Sequence, residues 1–291
     1  MHIKGLSAAT EVLQSIWNKN ETIGSVHTLG ALHNAHAQLI LQSARENQHT
    51  IVTVYPNKIQ LFPGLKYKYS LEDDVEFALQ NGATMVISSD DVEMFPKHYS
   101  TYIDQGIAHK ALNSSVFDYA ARGQITGSIR WINFCRPTIS YFGMKDIEQA
   151  LLVERAVKDL LIHTEIRRVP CVRNSAGVPI SSRLKNLPQE KLDDVSVVYQ
   201  GLDQARKMVY AGEKQADKIL NFLNAFYEAN IKNFEVKYVT IVAASDFQPV
   251  TEIELPFIIH VCISDGTTTH FDGMPILNEK DLTDGPQTVW I

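Results

Sequence analysis

The 291-residue chain is poor in cysteine: Cys135, Cys171 and Cys262 are the only three, far apart, and no C-x-x-C pair occurs. That excludes a disulfide framework and a zinc knuckle and fits a reducing compartment. Long apolar runs are missing too, since no stretch approaches the roughly 18 residues a membrane helix needs. The amphipathic stretch Met1 to Trp17 carries Glu11 inside it and lacks the basic flank and unbroken apolar centre of a signal peptide. A soluble, cytoplasmic protein is expected. Positive charge is short as well: 27 Lys plus Arg stand against 33 Asp plus Glu, a net charge of −6. This is the wrong sign for a surface that neutralises nucleic-acid phosphates, so neither nucleic acid nor membrane is expected as a partner. A small anion can still bind in a local basic pocket. What is present, 45% hydrophobic and 21% charged residues, suffices to offset the entropy of ordering a globular chain.

Strand and helix patterns alternate through the first 180 or so residues, the sequence form of a parallel sheet covered on both faces. Val12, Leu13, Ile16 and Trp17 recur at helical spacing, which predicts a helix over 7–18. A strand is expected over 22–28, a helix over 33–46 and a β-branched strand over 50–55, one βαβ unit. Ser70 and Asp73 cap a helix over 71–81 that Asn81-Gly82 ends, and a strand follows over 83–88. Further on come a strand over 138–142, a helix over 146–161 and a strand over 165–169. After Pro188 the pattern changes to two long helices, about 189–211 and 213–229, then strands over 235–243 and 257–263 with a turn-rich tail. The expected fold is α/β, a Rossmann-like doubly wound parallel sheet with a smaller C-terminal α+β domain. The boundary is placed at 184/185, giving domains 1–184 and 185–291.

The most informative segment is Gly24 to His36, a strand, a glycine-containing turn and a helix start with His33 and His36 three apart. Both imidazoles project from one helical face, beside free backbone N–H groups and the positive end of the helix dipole. That is an anion site suited to phosphate. Alone, H-x-x-H also fits a pair of capping rings. Zinc fits poorly, because the metalloprotease pair is spaced by four with a glutamate between, so no protein-held metal is expected. Position decides: the pair directly follows the expected first strand of a doubly wound sheet, where the carboxyl ends of strands form the ligand crevice. Downstream, Pro179-Ile180-Ser181-Ser182-Arg183 offers two hydroxyls and a guanidinium suited to nucleotide phosphates, although such a stretch also reads as a polar loop.

Gly30-Ala31-Leu32-His33-Asn34-Ala35-His36 resembles the H-x-G-H-type signature of the nucleotidylyltransferase superfamily. Its flanks resemble the pantothenate synthetase (pantoate–β-alanine ligase) family. Three further segments follow in that family's order: Tyr55 to Gln60, Tyr141 to Gln149, and Val169 to Arg173 leading to Ser181-Ser182-Arg183. The resemblance implies an AMP-forming ligase in which a carboxylate attacks the α-phosphate of ATP, pyrophosphate leaves, and an amine then takes the acyl group. It implies His33 and His36 at the α-phosphate, Lys145 on the phosphate chain, and Ser181, Ser182 and Arg183 at the leaving group. Thr28, Leu29, Gly30, Gly143, Asp146, Val172 and Ile180 would join Lys145 around ATP, with Mg2+ travelling on its phosphates. The acid, a pantoate-like hydroxy acid, would be held by Asn57, Gln60 and Gln149, with His27 and Gln124 nearby, and the amine would be β-alanine or an analogue. Neutral amides suit that task, because they bind hydroxyl and carboxylate oxygens without blunting the nucleophile. The family also implies a homodimer and a smaller domain that closes over ATP.

Departures from the family pattern gather around the acid. His27-Thr28-Leu29-Gly30 stands where Pro-Thr-Met-Gly is usual, and Arg122-Gly123-Gln124-Ile125 stands where an arginine precedes a His-Phe pair. Met144, Ile147 and Glu148 replace glutamate, tyrosine and glutamine. Either ordinary drift or an altered acid or amine accounts for this, and His27 is a candidate base for the incoming amine. Two other functions stay open on sequence: a nucleotidyltransferase releasing an adenylated product, and a non-catalytic nucleotide-binding protein.

Overall fold

The computed structural model describes residues 1–60, 68–105, 115–185 and 187–291. It separates into two compact units, the first formed by the described parts of 1–144 with 148–169, the second by 145–147 with 170–291.

The first unit runs β1 (His2–Lys4), α1 (Leu6–Asn18), β2 (Ile23–Thr28), α2 (Asn34–Glu46), β3 (His49–Val54), α3 (Leu71–Gln80), β4 (Met85–Ser88), α4 (Asp91–Met94), α5 (Ser115–Cys135), β5 (Ile139–Gly143), α6 (Ile147–Asp159) and β6 (Glu165–Val169). Its six strands form one parallel sheet in the order β1-β4-β3-β2-β5-β6. The period-two alternation of a strand sends neighbouring side chains to opposite faces. Ile23, Ile51, Met85 and Ile87 therefore pack with Ala9, Leu13 and Ile16 of α1 and Trp131 and Cys135 of α5. Val26, Val52, Val54 and Val86 pack on the other face with Leu39 and Ile40 of α2 and Ala78 of α3. Strands buried on both faces read as near-continuous apolar runs, as β4 does.

The chain order reverses at β2, which lies between β3 and β5. Open sheets of this kind bind ligands at the carboxyl ends of the strands beside such a switch point. The histidine-bearing strand is thus central in the sheet but second in the chain, because the short edge strand β1, to which the sequence reading assigned no element, precedes it.

In the second unit, β7 (Cys171–Arg173) comes before α7 (Gln189–Tyr210), α8 (Ala216–Asn230), β8 (Glu235–Ala243), β9 (Phe257–Ser264), β10 (Thr269–Ile276), α9 (Glu279–Asp284) and β11 (Thr288–Trp290). Strands β8, β9 and β10 make an antiparallel sheet, and β11 pairs in parallel with β7. Val195, Val198 and Leu202 of α7 and Ile219, Leu223 and Tyr227 of α8 pack on Ile259, Val261 and Ile263 of β9. The tail expected as turns carries two strands, β10 and β11, and the second of these pairs with β7. Among the described residues, no helix is long and apolar enough to cross a membrane.

Candidate active site

At the end of β2 the chain turns through two residues of left-handed backbone, Gly30 (φ 96°) and Ala31 (φ 53°). Glycine is required at the first on two counts: the conformation, and a Cβ there would come within 2.7 Å of the Tyr69 ring and 2.8 Å of Asp74 Oδ2. Asp74, buried on α3, accepts the N–H groups of Ala31 (2.9 Å) and Leu32 (2.7 Å). Burial pushes its carboxyl above the usual range, against the pull of those two amides. Thr28 ties the start of the turn down, donating to Thr53 O (2.9 Å) and accepting from Gly30 N (3.3 Å). Leu29 is half-buried beside it.

His33 is the extended N-cap of α2, and the two histidines close a capping box with each other. The His36 Nδ1 accepts the His33 backbone N–H (3.2 Å), and the His33 side chain accepts the His36 backbone N–H. The rings lie 4.1 Å apart between centroids. A ring nitrogen that accepts a backbone N–H is unprotonated, so in each neutral ring the other nitrogen carries the proton as a donor. No acidic residue stands in the first turn of α2 to compete with an anion for the helix dipole. Capping and anion binding, alternatives on sequence, are thus compatible: one nitrogen of each ring caps and the second is a donor.

A second group is built on α5. The turn after β3 is closed by Gln60 N donating to Asn57 O (3.2 Å). Asn57 Nδ2 donates to Gly123 O of α5 (3.1 Å) and to Gln60 Oε1 (3.2 Å), while its buried Oδ1 has no donor among the described residues. The approach is close because α5 presents glycine at 123 and 127: a Cβ on Gly123 would overlap the Ile59 carbonyl, and one on Gly127 the Asn57 amide. Gln124 lies half-buried between those glycines, and Gln149 Nε2 of α6 donates to Ser128 Oγ one turn on (3.3 Å). The structure therefore brings Asn57, Gln60, Gln124 and Gln149 to two successive turns of one helix, an uncharged set of donors and acceptors.

His27 belongs to the same face of β2 as Ser25. Its Nε2 meets Ser25 Oγ (3.1 Å), its Nδ1 meets Thr53 Oγ1 (3.0 Å), and the ring lies nearly parallel to Trp131 of α5 (11°). Ser25 in turn donates to Ser140 (2.9 Å), so Ser25 accepts the His27 Nε2–H and Thr53 donates to Nδ1. Burial lowers the His27 pKa to about 3. Both nitrogens are engaged and burial disfavours the charged ring, so the geometry favours a neutral, structural His27 over the base expected from sequence.

The second unit carries the other expected residues. Gly143 ends β5 in the first unit, with open space where its side chain would be. A 3-10 turn over Met144–Asp146 then presents Lys145, whose Nζ binds Asp146 Oδ1 at 3.0 Å. Desolvation raises the Asp146 carboxyl, but the charges of Lys145 and Arg183 prevail and hold it below its ordinary value, so it is ionised. Ser181, Ser182 and Arg183 leave a tight turn rooted on β7: Asn174 Oδ1 accepts from Ala176 N and Val178 N (3.0 Å each), and Ile180 N donates to Val172 O (2.9 Å). The Ser181 hydroxyl accepts Arg183 N (3.3 Å), and Arg183 is exposed. Arg173 fixes the root of the turn. It is buried, pairs with Asp272 of β10 through two 2.7 Å bonds, donates to Gly177 O (2.9 Å) and lies over the Tyr199 ring (4.6 Å). Burial would raise the Asp272 carboxyl, yet the Arg173 charge holds it low.

The pantoate-beta-alanine ligase family matches residues 2–274. The chain belongs to that family. It is 31% identical over 261 residues to a pantothenate synthetase of Clostridium novyi, covering 88% of this chain and 92% of that protein. To a pantothenate synthetase of Fervidobacterium nodosum it is 30% identical over 262 residues, with 89% and 93% covered. Among solved structures, pantothenate synthetase from Thermus thermophilus is similar with a TM-score of 0.86 at 25% identity, covering 95% of this chain and 99% of that one. A pantoate-β-alanine ligase from Francisella tularensis, solved with β-γ ATP and β-alanine, shares the fold at a TM-score of 0.74 and 21% identity over 94% and 97% of the chains.

Sequence reasoning singled out the histidines and the amides as candidates but not the residues that hold them. Asp74 reads as one more acid in the first turn of α3, after Glu72 and Asp73. The spacing Gly123-x-x-x-Gly127 was the available sign of a close backbone approach. Asp272 gave no sign, because its partner lies 99 positions away.

Proposed function

We propose that this chain is an AMP-forming ligase that joins pantoate, or a closely similar hydroxy acid, to β-alanine at the expense of ATP, through an acyl-adenylate. The observation that carries the reading is the histidine turn, two rings locked by mutual capping at the start of α2, at the carboxyl end of the central strand, in a chain of this family.

In the first step an acid oxygen forms a bond to the α-phosphorus while the bond to the bridging oxygen breaks and pyrophosphate leaves. Charge grows on the α-phosphate and the leaving group, so donors fixed beforehand lower the barrier more than they tighten ground-state binding. The second ring N–H of His33 and of His36 serves the α-phosphate, within the turn formed by Thr28, Leu29 and Gly30. Lys145, Ser181, Ser182 and Arg183 neutralise the β- and γ-phosphates, with Gly143, Val172 and Ile180 lining the nucleotide. Asn57 Oδ1, without a donor among the described residues, fits a hydroxyl of the acid, and Gln60, Gln124 and Gln149 supply the remaining polar contacts. His27, neutral and tied to its neighbours, forms wall. In the second step the amine attacks the acyl carbon and AMP leaves, the amine's proton passing to solvent.

Mg2+ suits this set as an ion borne by the phosphates, with ionised Asp146 as the carboxylate that shares it; when bound it would offset charge on the leaving pyrophosphate. Among the described residues, no cluster of His, Cys, Asp and Glu would hold a metal by itself. A cytoplasmic homodimer accords with the family resemblance. The test is product formation from ATP, Mg2+, pantoate and β-alanine: AMP and pyrophosphate in step with amide, only with acid and amine both present. An adenylated product without amide points to a nucleotidyltransferase, and no turnover over a panel of hydroxy acids removes the ligase reading.

A further inference from the structure

His270 of β10 is a buried titratable residue that the scheme above leaves without a task. It is 3% exposed, and its buried Nε2 has no hydrogen-bond partner among the described residues. An orphaned polar atom of this kind in a packed interior calls for an explanation. Its surroundings are specific. Asp272, two residues on and hence on the same face of the strand, is committed to Arg173 through both carboxylate oxygens. The ring also lies within electrostatic reach of Lys145 and Arg183, the two cations assigned to the phosphate chain. Counted as acceptors for three cations, Asp272 is taken by Arg173 and Asp146 by Lys145. Among the described residues, the His270 Nε2 is the remaining buried polar atom of this group with no partner.

We propose that His270 is a positioning residue of the nucleotide site: a neutral imidazole whose unshared Nε2 accepts a hydrogen bond, direct or through one water, from the Lys145 ammonium or the Arg183 guanidinium when these turn to the phosphates. The proposal rests on the reading of Lys145 and Arg183 as ATP ligands. A neutral acceptor fits better than a third carboxylate, which would compete with the phosphates for both cations, and better than an apolar residue, which would leave their N–H groups undirected. Burial, against the pull of Asp272 and with help from the three cations, lowers the His270 pKa to about 3, so the ring stays neutral and adds no repulsion at working pH.

The test compares wild type with His270→Leu, His270→Gln and Lys145→Ala by calorimetric affinity for a non-hydrolysable ATP analogue, KM for ATP, KM for pantoate and melting temperature. His270→Leu is expected to weaken the analogue and raise the ATP KM about three- to tenfold, the worth of one hydrogen bond, with the pantoate KM within twofold of wild type. His270→Gln, which restores an acceptor near the Nε2 position, is expected to recover most of that loss. Should leucine not be accepted by the fold, His270→Met takes its place with the same expectation. Unchanged ATP parameters in His270→Leu overturn the proposal, as does His270→Gln falling as far as His270→Leu, which marks a packing role. If Lys145→Ala leaves analogue affinity unchanged, the nucleotide-site reading itself falls. If Lys145→Ala weakens it and His270→Leu does not, only the role of His270 is lost.

Discussion

Gly123→Ala isolates the amide turn. In the interior of a 21-residue helix the exchange would ordinarily stabilise by about 1 kcal/mol, because alanine loses less backbone freedom on folding. Here the new Cβ overlaps the carbonyl of Ile59 and sits 2.9 Å from Gln60 N. Those are backbone atoms and cannot swing aside, so the turn carrying Asn57 and Gln60 must retreat by about 1 Å in a close-packed interior. Overpacking of this sort costs about 1–3 kcal/mol, which leaves a net loss of about 0–2 kcal/mol after the helix gain. The effect on activity is larger, since displacing a binding group by about 1 Å can cost a hundredfold. Steady-state release of AMP should show kcat/KM for pantoate lowered between about ten- and a hundredfold, with the ATP KM within twofold. Gly127→Ala should do less, because its Cβ meets the Asn57 side-chain amide, the end of a side chain that can rotate. A more stable Gly123→Ala enzyme with unaltered pantoate kinetics would refute the placement of the acid on α5, as would a Gly127→Ala defect larger than that of Gly123→Ala.

Three further outcomes are expected. His36→Ala should lower turnover by about 10²–10³, the loss typical of removing one transition-state donor, and a fall under about threefold takes the ring out of the reaction. Asp74→Ala strands the N–H groups of Ala31 and Leu32 and should cost about 1–3 kcal/mol in urea denaturation, with a fall in turnover as the histidine turn loosens; wild-type stability would show that the two amides find other acceptors. Acid should destabilise the fold through His270. Burial, aided by its cationic neighbours, lowers its pKa from 6.5 to about 3, so between these values the unfolded chain binds a proton that the folded one refuses. That contribution is whole above pH 6.5 and fades as pH falls toward 3, by up to about 1.4 kcal/mol per pH unit for one proton. Denaturation at pH 7, 6 and 5 should give His270→Gln a shallower slope than wild type, and equal slopes would show that the ring titrates normally.

The β2-turn-α2 segment could be read from sequence because each local signal agreed: a buried strand, a glycine at a left-handed position, then amphipathic helical spacing. The alternation of elements pointed to the doubly wound class, whereas the switch of order at β2 is visible only in the sheet itself. Helix α5 could not be read in this way. Gly123 and Gly127 weaken helical propensity, and their reason, the backbone of Ile59 and the amide of Asn57, is over sixty positions away. Strand β10 was hidden because His270 and Asp272 stand on its core-facing side, where apolar residues are the usual signal. The Arg173 pairing, with the Gly273 N–H, makes burial of that carboxylate tolerable. Edge strands β1 and β11, three residues each, are too short to show any period. The type of His27 suggested a base, whereas Ser25, two residues before it on β2, and Thr53, opposite it on β3, occupy the ring nitrogens.

The scheme turns on a carboxylate attacking ATP before the amine takes part. Exchange of labelled pyrophosphate into ATP examines that step alone. Pantoate without β-alanine should support the exchange, and His36→Ala and Arg183→Ala, one from each compact unit, should each suppress it. Exchange that requires β-alanine, that proceeds without acid, or that survives both substitutions would contradict an acyl-adenylate made by these residues.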